Sequence, residues 1–299
     1  MLKNILPADI YGILSSRVNF KAINEIRLRA DKPIVIACGA KRFFLSENGL
    51  CGNLYEAIKA TRVMVEDIIF RASECSIYSV NEQIKKGFIV TSGGIRLGLG
   101  GDMVEENGHI KTMTNFTSVN IRIPHEIKNC CLGAFSYILQ DGNLQNTLVI
   151  SPPGAGKTTF LRDFICQLSE RNYAFNVLVL DERGELDIGD SIGSFADKIC
   201  FARKKIGFEN GIRSLSPNLI VTDELGDEDD IEAVRYASNC GVNLLASAHC
   251  DNLDNFMKKP SFTKLIEEKI FKRYVLLSLK DGPGTLEGVY NENFSRIRG

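Results

Sequence analysis

Ser151-Pro152-Pro153-Gly154-Ala155-Gly156-Lys157-Thr158-Thr159 stands between two apolar stretches of different period. Thr147-Leu148-Val149-Ile150 leads into it and reads as a buried strand. Phe160, Leu161, Phe164, Ile165 and Leu168 follow at helical spacing, so a helix leaves it. Strand, glycine-rich turn and Lys-Thr at a helix start together make the context of a phosphate-gripping loop. Gly154 and Gly156 let backbone N–H groups turn inward without a Cβ clash, and the helix N-terminus adds partial positive charge. The nucleotide-binding stretch is expected to be Pro153, Gly154, Ala155, Gly156, Lys157, Thr158 and Thr159. Lys157 is expected on the β- and γ-phosphates, Thr158 on Mg²⁺, and Thr159 near the α-phosphate. Ser151 stands where the usual G-x-x-x-x-G-K-[ST] pattern has its first glycine. A serine is accommodated there if its φ stays negative.

Working outward, 299 residues with 44% hydrophobic content point to two domains, each with its own core. A net charge of −1 argues against broad attraction to nucleic acid or an anionic membrane. The nine cysteines show no C-x-x-C spacing, which favours a reducing cytosol and buried thiols over disulfides or zinc. The segment Met1–Leu6 soon meets Pro7 and Asp9, so no secretory leader is expected. No uncharged run approaches the ~20 residues that span a bilayer, so direct membrane insertion is not expected.

The first part reads as α+β, residues 1–125. A helix is expected from Ala8 to about Val18, and strands at Glu25–Arg29, Pro33–Cys38 and Arg42–Leu45. A helical region is expected over about Val65–Lys86, then strands at Phe88–Thr91 and Ile95–Leu99 that stop at Gly100-Gly101. Asn107-Gly108 signals a hairpin, and Ser118–Ile123 alternates as a strand that Pro124 ends. The second domain, residues 126–299, resumes with a helix at Leu132–Leu139. Strands are then expected at Asn176–Leu180, Lys198–Phe201, Leu219–Thr222 and Val242–Ser247, alternating with helices over a parallel sheet. Arg273–Leu279 and Thr285–Tyr290 read as a closing hairpin, and the tail to Gly299 as frayed.

Leu219–Thr222 ends in Asp223-Glu224, where a P-loop ATPase carries its second acidic motif. Neighbouring strand residues point to opposite faces, so the two acids can divide the work. Asp223 is expected behind the metal and Glu224 as general base on the attacking water. A second strand ends in Asp181-Glu182-Arg183-Gly184-Glu185, suggesting that Asp181 and Glu182 add to an acidic rim, Asp181 towards the metal. Glu185 reads equally well as an acid near a helix start. His249 follows the next strand at the same sheet edge and is a candidate γ-phosphate or water sensor. The absence of an Asn-Lys-x-Asp segment favours ATP over GTP.

This order of motifs resembles the secretion ATPases of type II and type IV systems. The likeness extends to Arg213–Asn218, Gly226–Asp229 and Ser247–Cys250. More closely, the chain resembles the stage III sporulation AA family. It does so through Glu25–Arg29, Ile77–Ser79, Lys86–Phe88, Gly93–Leu99, Asn120–Ile123, Asp181–Leu186 and Gly282–Thr285. The resemblance implies a RecA-like P-loop ATPase domain behind a smaller α+β domain, and a homo-oligomeric, hexameric ring. It places that ring in the cytoplasm, peripheral to membrane channel proteins of a sporulation complex on the mother-cell side. It also implies that Arg96 and Arg122 of the first domain reach the phosphates. Ile95 stands where the family pattern carries histidine, and the 187–212 segment is shorter than that pattern. Arg203, Lys204 and Lys205 are expected to face a neighbouring subunit. A nucleic-acid motor, an ATP-gated scaffold and, more distantly, a small-molecule kinase are the rival readings. Near-neutral charge and the lack of aromatic-basic interleaving weigh against the motor.

Overall fold

A computed structural model describes residues 2–298 apart from 40, 92–93, 107, 124–126, 183, 185 and 187–192. Of the stretches read from sequence, Ser92-Gly93, Asn107, Pro124, Arg183 and Glu185 lie outside the described residues. The chain divides into two compact units, Met1–His125 and Glu126–Gly299.

The first unit is built on β1 (Glu25–Arg29), β2 (Val35–Cys38), β3 (Lys41–Ser46), β4 (Gly49–Cys51), β5 (Phe88–Val90), β6 (Arg96–Glu106) and β7 (His109–Arg122). These form a seven-stranded sheet in the order β4-β3-β2-β1-β7-β6-β5. Every pairing in it is antiparallel. Alternation sets which side is buried: Ile26 and Leu28 of β1 are fully buried, while Glu25, Arg27 and Arg29 occupy the other face. Helices α1 (Leu2–Ile5), α2 (Ala8–Arg17), α3 (Arg62–Ala72) and α4 (Asn81–Lys85) complete the unit. Ile5, Ile10, Leu14, Val65, Ile68, Ile69 and Ile84 from these helices join the sheet's buried residues in one core.

Two expectations need correction here. The helical region of Val65–Lys86 is broken, because Glu74 and Cys75 take positive φ after Thr61-capped α3 ends. The Gly100-Gly101 break is not an end: β6 runs through it with a register shift against β7 between Gly100 and Asp102. A Cβ on Gly101 would lie 2.6 Å from the Thr114 carbonyl, so glycine permits the bulge that keeps the strand going.

The second unit opens with α5 (Leu132–Ile138) and a small ribbon, β8 (Leu139–Gln140) with β9 (Asn143–Leu144). Its main sheet comprises β10 (Thr147–Ser151), β11 (Val177–Asp181), β12 (Ala196–Cys200), β13 (Leu219–Thr222), β14 (Asn243–His249), β15 (Arg273–Ser278), β16 (Thr285–Asn291) and β17 (Arg296–Arg298). The strand order is β12-β11-β13-β14-β10-β15-β16-β17. Strands β12 to β15 pair in parallel, and β16 and β17 add an antiparallel edge. The closing hairpin therefore carries a third strand where a frayed tail was expected. Helices α6 (Lys157–Glu170), α7 (Lys204–Leu215), α8 (Glu228–Asn239), α9 (Leu253–Met257) and α10 (Thr263–Glu267) accompany the sheet.

The central strands are buried along their whole length, as parallel strands covered on both faces must be. Their alternate residues feed two cores. Leu148, Ile150, Leu178 and Leu180 join one, and Val149, Val177 and Val179 join the other with Phe160, Phe164 and Leu168 of α6. Each fully buried side chain of this kind contributes roughly 1.5–3 kcal/mol. This packing anchors the strand tips from which the functional side chains project. No helix among the described residues is long and apolar enough to cross a membrane.

Candidate functional site

Between β10 and α6 the chain turns through Gly154 and Gly156, both at positive φ. Gly156 is the N-cap of α6 at φ 91°, a left-handed conformation, and no side chain caps the helix start. The first-turn N–H groups are thus left to whatever anion approaches. Ser151 is not among the positive-φ residues, so serine fits the position usually held by glycine. A second loop braces the first: the Gly284 N–H donates to the Ala155 carbonyl at 3.0 Å. A Cβ on Gly156 would meet that same amide nitrogen at 3.3 Å, which makes the contact a reason for glycine beyond its φ.

Lys157 is 7% exposed. Its Nζ lies 3.2 Å from the Ser151 carbonyl, the Ser151 hydroxyl and the Pro152 carbonyl, and 2.7 Å from His249 Nδ1. An ammonium has only donors, so Nδ1 is the acceptor and the ring's other nitrogen carries hydrogen. That nitrogen, Nε2, is 3.3 Å from Glu224 Oε2. Burial pushes the Lys157 pKa down to about 8, against the pull of the Glu224 carboxylate, which raises it.

Strand pairing explains this convergence. β10 lies between β14 and β15, and Ser151 is paired in register with His249. β13 lies on the far side of β14, which brings Asp223 and Glu224 to the same edge. Pro153, Gly154, Gly156, Lys157, Thr158, Thr159, Asp223, Glu224, Ser247 and His249 line a single cleft of about 390 Å³. Ser247 carries no site role in the sequence reading, where it only opens the stretch Ser247–Cys250. Its place two residues before His249 on one strand puts both on one face, and that spacing was the available signal.

Thr158 and Asp223 both line the cleft. Among the described residues no group of three or more His, Cys, Asp or Glu side chains could hold a metal alone. This donor set fits Mg²⁺, which keeps several waters and binds through one or two protein oxygens together with phosphate oxygens.

The other acidic strand tip behaves differently. Asp181 is 1% exposed and accepts the Leu186 N–H at 2.8 Å, and neither it nor Glu182 lines the cleft. Glu182 Oε2 instead lies 3.0 Å from Lys204 Nζ. The expectation that Lys204 faces a neighbouring subunit is corrected: it is 7% exposed, with Asp230 at 3.7 Å and Asp223 at 4.0 Å. Burial works to lower its pKa, but the carboxylates of Asp230, Asp223 and Glu182 outweigh it and the pKa is raised. Lys205 is exposed and pairs with Glu232 at 3.3 Å.

Arg96 and Arg122 belong to the first unit. They sit directly opposite one another on β6 and β7, with the Arg96 guanidinium 4.2 Å above the Phe88 ring. Glu25 of β1 lies directly opposite Arg122 on its other side, so the cross-strand row runs Glu25, Arg122, Arg96.

The chain has the fold of the type II and type IV secretion ATPases, and its glycine loop and strand-tip acids lie together in one cleft of that fold. The chain superposes on the Legionella pneumophila ATPase DotB with a TM-score of 0.58 at 16% identity, covering 91% of this chain and 76% of that one. It superposes on the pilus retraction motor PilT, solved with bound ADP, with a TM-score of 0.60 at 13% identity, covering 89% and 76%. Residues 1–297 match the family model described as Sporulation stage III, protein AA, and the chain belongs to that family. Stage III sporulation protein AA of Bacillus subtilis (strain 168) is 32% identical over 305 residues, covering 98% of this chain and 95% of that protein. The uncharacterized protein ycf45 of Cyanidium caldarium is 29% identical over 130 residues, covering 41% of this chain and 38% of that one.

Proposed function

We propose that the chain binds ATP with Mg²⁺ and hydrolyses it to ADP and phosphate, as the subunit of a ring ATPase serving a sporulation membrane complex. The observation that carries this reading is the continuous run from Lys157 through His249 to Glu224 in one cleft, at 2.7 and 3.3 Å. Lys157 is within reach of loop carbonyls that a polyphosphate would replace as its partners, and the uncapped start of α6 offers N–H donors beside it. Thr158 and Asp223 would hold Mg²⁺, which supplies charge neutralisation on the phosphoryl oxygens. Glu224 acts as general base, positioned by His249, whose Nε2 faces the carboxylate at 3.3 Å. Positioning and electrostatic stabilisation do most of the work in such a transfer.

The ring, its hexameric state, the part played by Arg96 and Arg122, and attachment to a mother-cell channel are what the resemblance to secretion ATPases implies, and the family description supports a role in sporulation. The deciding experiment is phosphate release by the purified chain with Mg²⁺ and ATP. Lys157→Ala is expected to lose ATP binding by calorimetry, and Glu224→Gln to keep binding while turnover falls by about 100-fold or more. A wild-type chain that releases no phosphate at any concentration would instead be a nucleotide-gated scaffold. Mass in solution with and without a non-hydrolysable analogue tests the ring.

A further inference from the structure

Lys204 is the first residue of α7, where a positive charge opposes the helix dipole. It is also buried, and an ammonium is costly to remove from water. Two unfavourable placements in one side chain call for a compensating arrangement, and the surroundings provide it. Glu182 follows the tip of β11, Asp223 follows the tip of β13, and Asp230 lies in the first turn of α8. Their carboxylates approach Lys204 Nζ at 3.0, 4.0 and 3.7 Å. Asp230 is itself fixed, accepting the Gly226 N–H at 2.9 Å, and its own N–H is capped by Asp227.

The helix is shaped to deliver this charge. Lys204, Gly207 and Gly211 share one face of α7, spaced three and four residues apart. A Cβ on Gly207 would lie 3.1 Å from Leu180 of β11, and one on Gly211 only 2.2 Å from Leu178. The glycines bring α7 tight against the sheet, so that the lysine at its start reaches across two strand tips.

We propose that Lys204 is a positioning residue for the metal-side acid: it holds Asp223 in the cleft by tying it to Glu182 and Asp230, which makes α7 part of the active-site frame. Glu182 then acts as a partner of Lys204 rather than on the attacking water. This rests on the ATPase reading above for its kinetic consequence, and it has a binding consequence that does not need turnover.

The test compares Lys204→Met, Lys204→Arg and the double variant Lys204→Met/Asp230→Asn with wild type. For Lys204→Met, turnover is expected to fall about 10- to 100-fold and half-saturation by Mg²⁺ to rise by a similar factor, the usual effect of losing a group that orients a metal ligand. Affinity for a non-hydrolysable ATP analogue without metal is expected to stay within about twofold of wild type. Lys204→Arg keeps the charge and is expected to recover part of the Mg²⁺ response. The double variant removes one buried negative charge with the cation. It is expected to regain thermal stability without regaining the Mg²⁺ response, and it is read in place of Lys204→Met should that variant not fold. Turnover and Mg²⁺ half-saturation within twofold of wild type in Lys204→Met would overturn the proposal. So would a double variant that regains stability and Mg²⁺ response together, since that is what a purely structural ion cluster does. If wild type releases no phosphate, the ATPase reading fails separately. The proposal is then decided by calorimetry: a Mg²⁺-dependent gain in analogue affinity that survives in Lys204→Met, or that wild type lacks, sinks it.

Discussion

Lys157 is held among oxygens and an imidazole nitrogen, with one carboxylate nearby through His249. Its pKa of about 8 is below the ordinary 10.5, so burial of the cation costs stability in full below pH 8. That cost fades as pH rises from 8 towards 10.5. A bound polyphosphate favours the ammonium and lifts the pKa again. Analogue binding at pH 8.5 is therefore expected to take up a substantial fraction of one proton, and at pH 7.0 much less from this lysine. Calorimetry in buffers of different ionisation heat measures it directly, and equal binding heats in all buffers at pH 8.5 would remove Lys157 as the group that meets the phosphates. The lysine was legible from its motif alone. Its contact with His249 was not, because the two are 92 positions apart and meet only through strand pairing.

Among the elements, α7 differs most from what its sequence advertises. Its start, Arg203-Lys204-Lys205, reads as an exposed basic cluster, yet one of the lysines is nearly fully buried. Glycine is a poor helix former, so Gly207 and Gly211 weaken the helix locally and are compensated by close packing on β11. Gly211→Ala gains helix propensity but inserts a methyl against Leu178 and Ile199. The expected net effect is a loss of about 1–3 kcal/mol from overpacking. Chemical denaturation measures it, and a stabilised variant would mean that Leu178 moves aside and that α7 is not held tightly. The extended course of β6 has the same lesson. Gly100-Gly101 looks like a terminator by composition, but its partner strand supplies the hydrogen bonds that carry it through a bulge.

For the chain as a whole, the division into Met1–His125 and Glu126–Gly299 leaves each part with buried residues of its own. One core serves the first unit, and two cores lie on opposite faces of the parallel sheet in the second. Residues 127–299 expressed alone are expected to fold and to unfold in one cooperative transition, since no described residue of the second unit belongs to the first core. A gradual melt with early dye binding would show that the second unit depends on the first.

The strands of the parallel sheet, the glycine loop and the acid pair at the end of β13 are legible in the sequence because each is a local pattern. Apolar period, turn chemistry and the residues that follow a strand are all written within a few positions of one another. What the amino-acid order could not convey is which tips become neighbours. The strands stand in the order β12-β11-β13-β14-β10, which is not the order of the chain. That permutation sets His249 beside Lys157, closes the Gly284 loop on Ala155 and gathers three carboxylates on Lys204. Contacts of this kind depend on long-range packing and charge compensation in a dry interior, and neither has a period that a linear reading can detect.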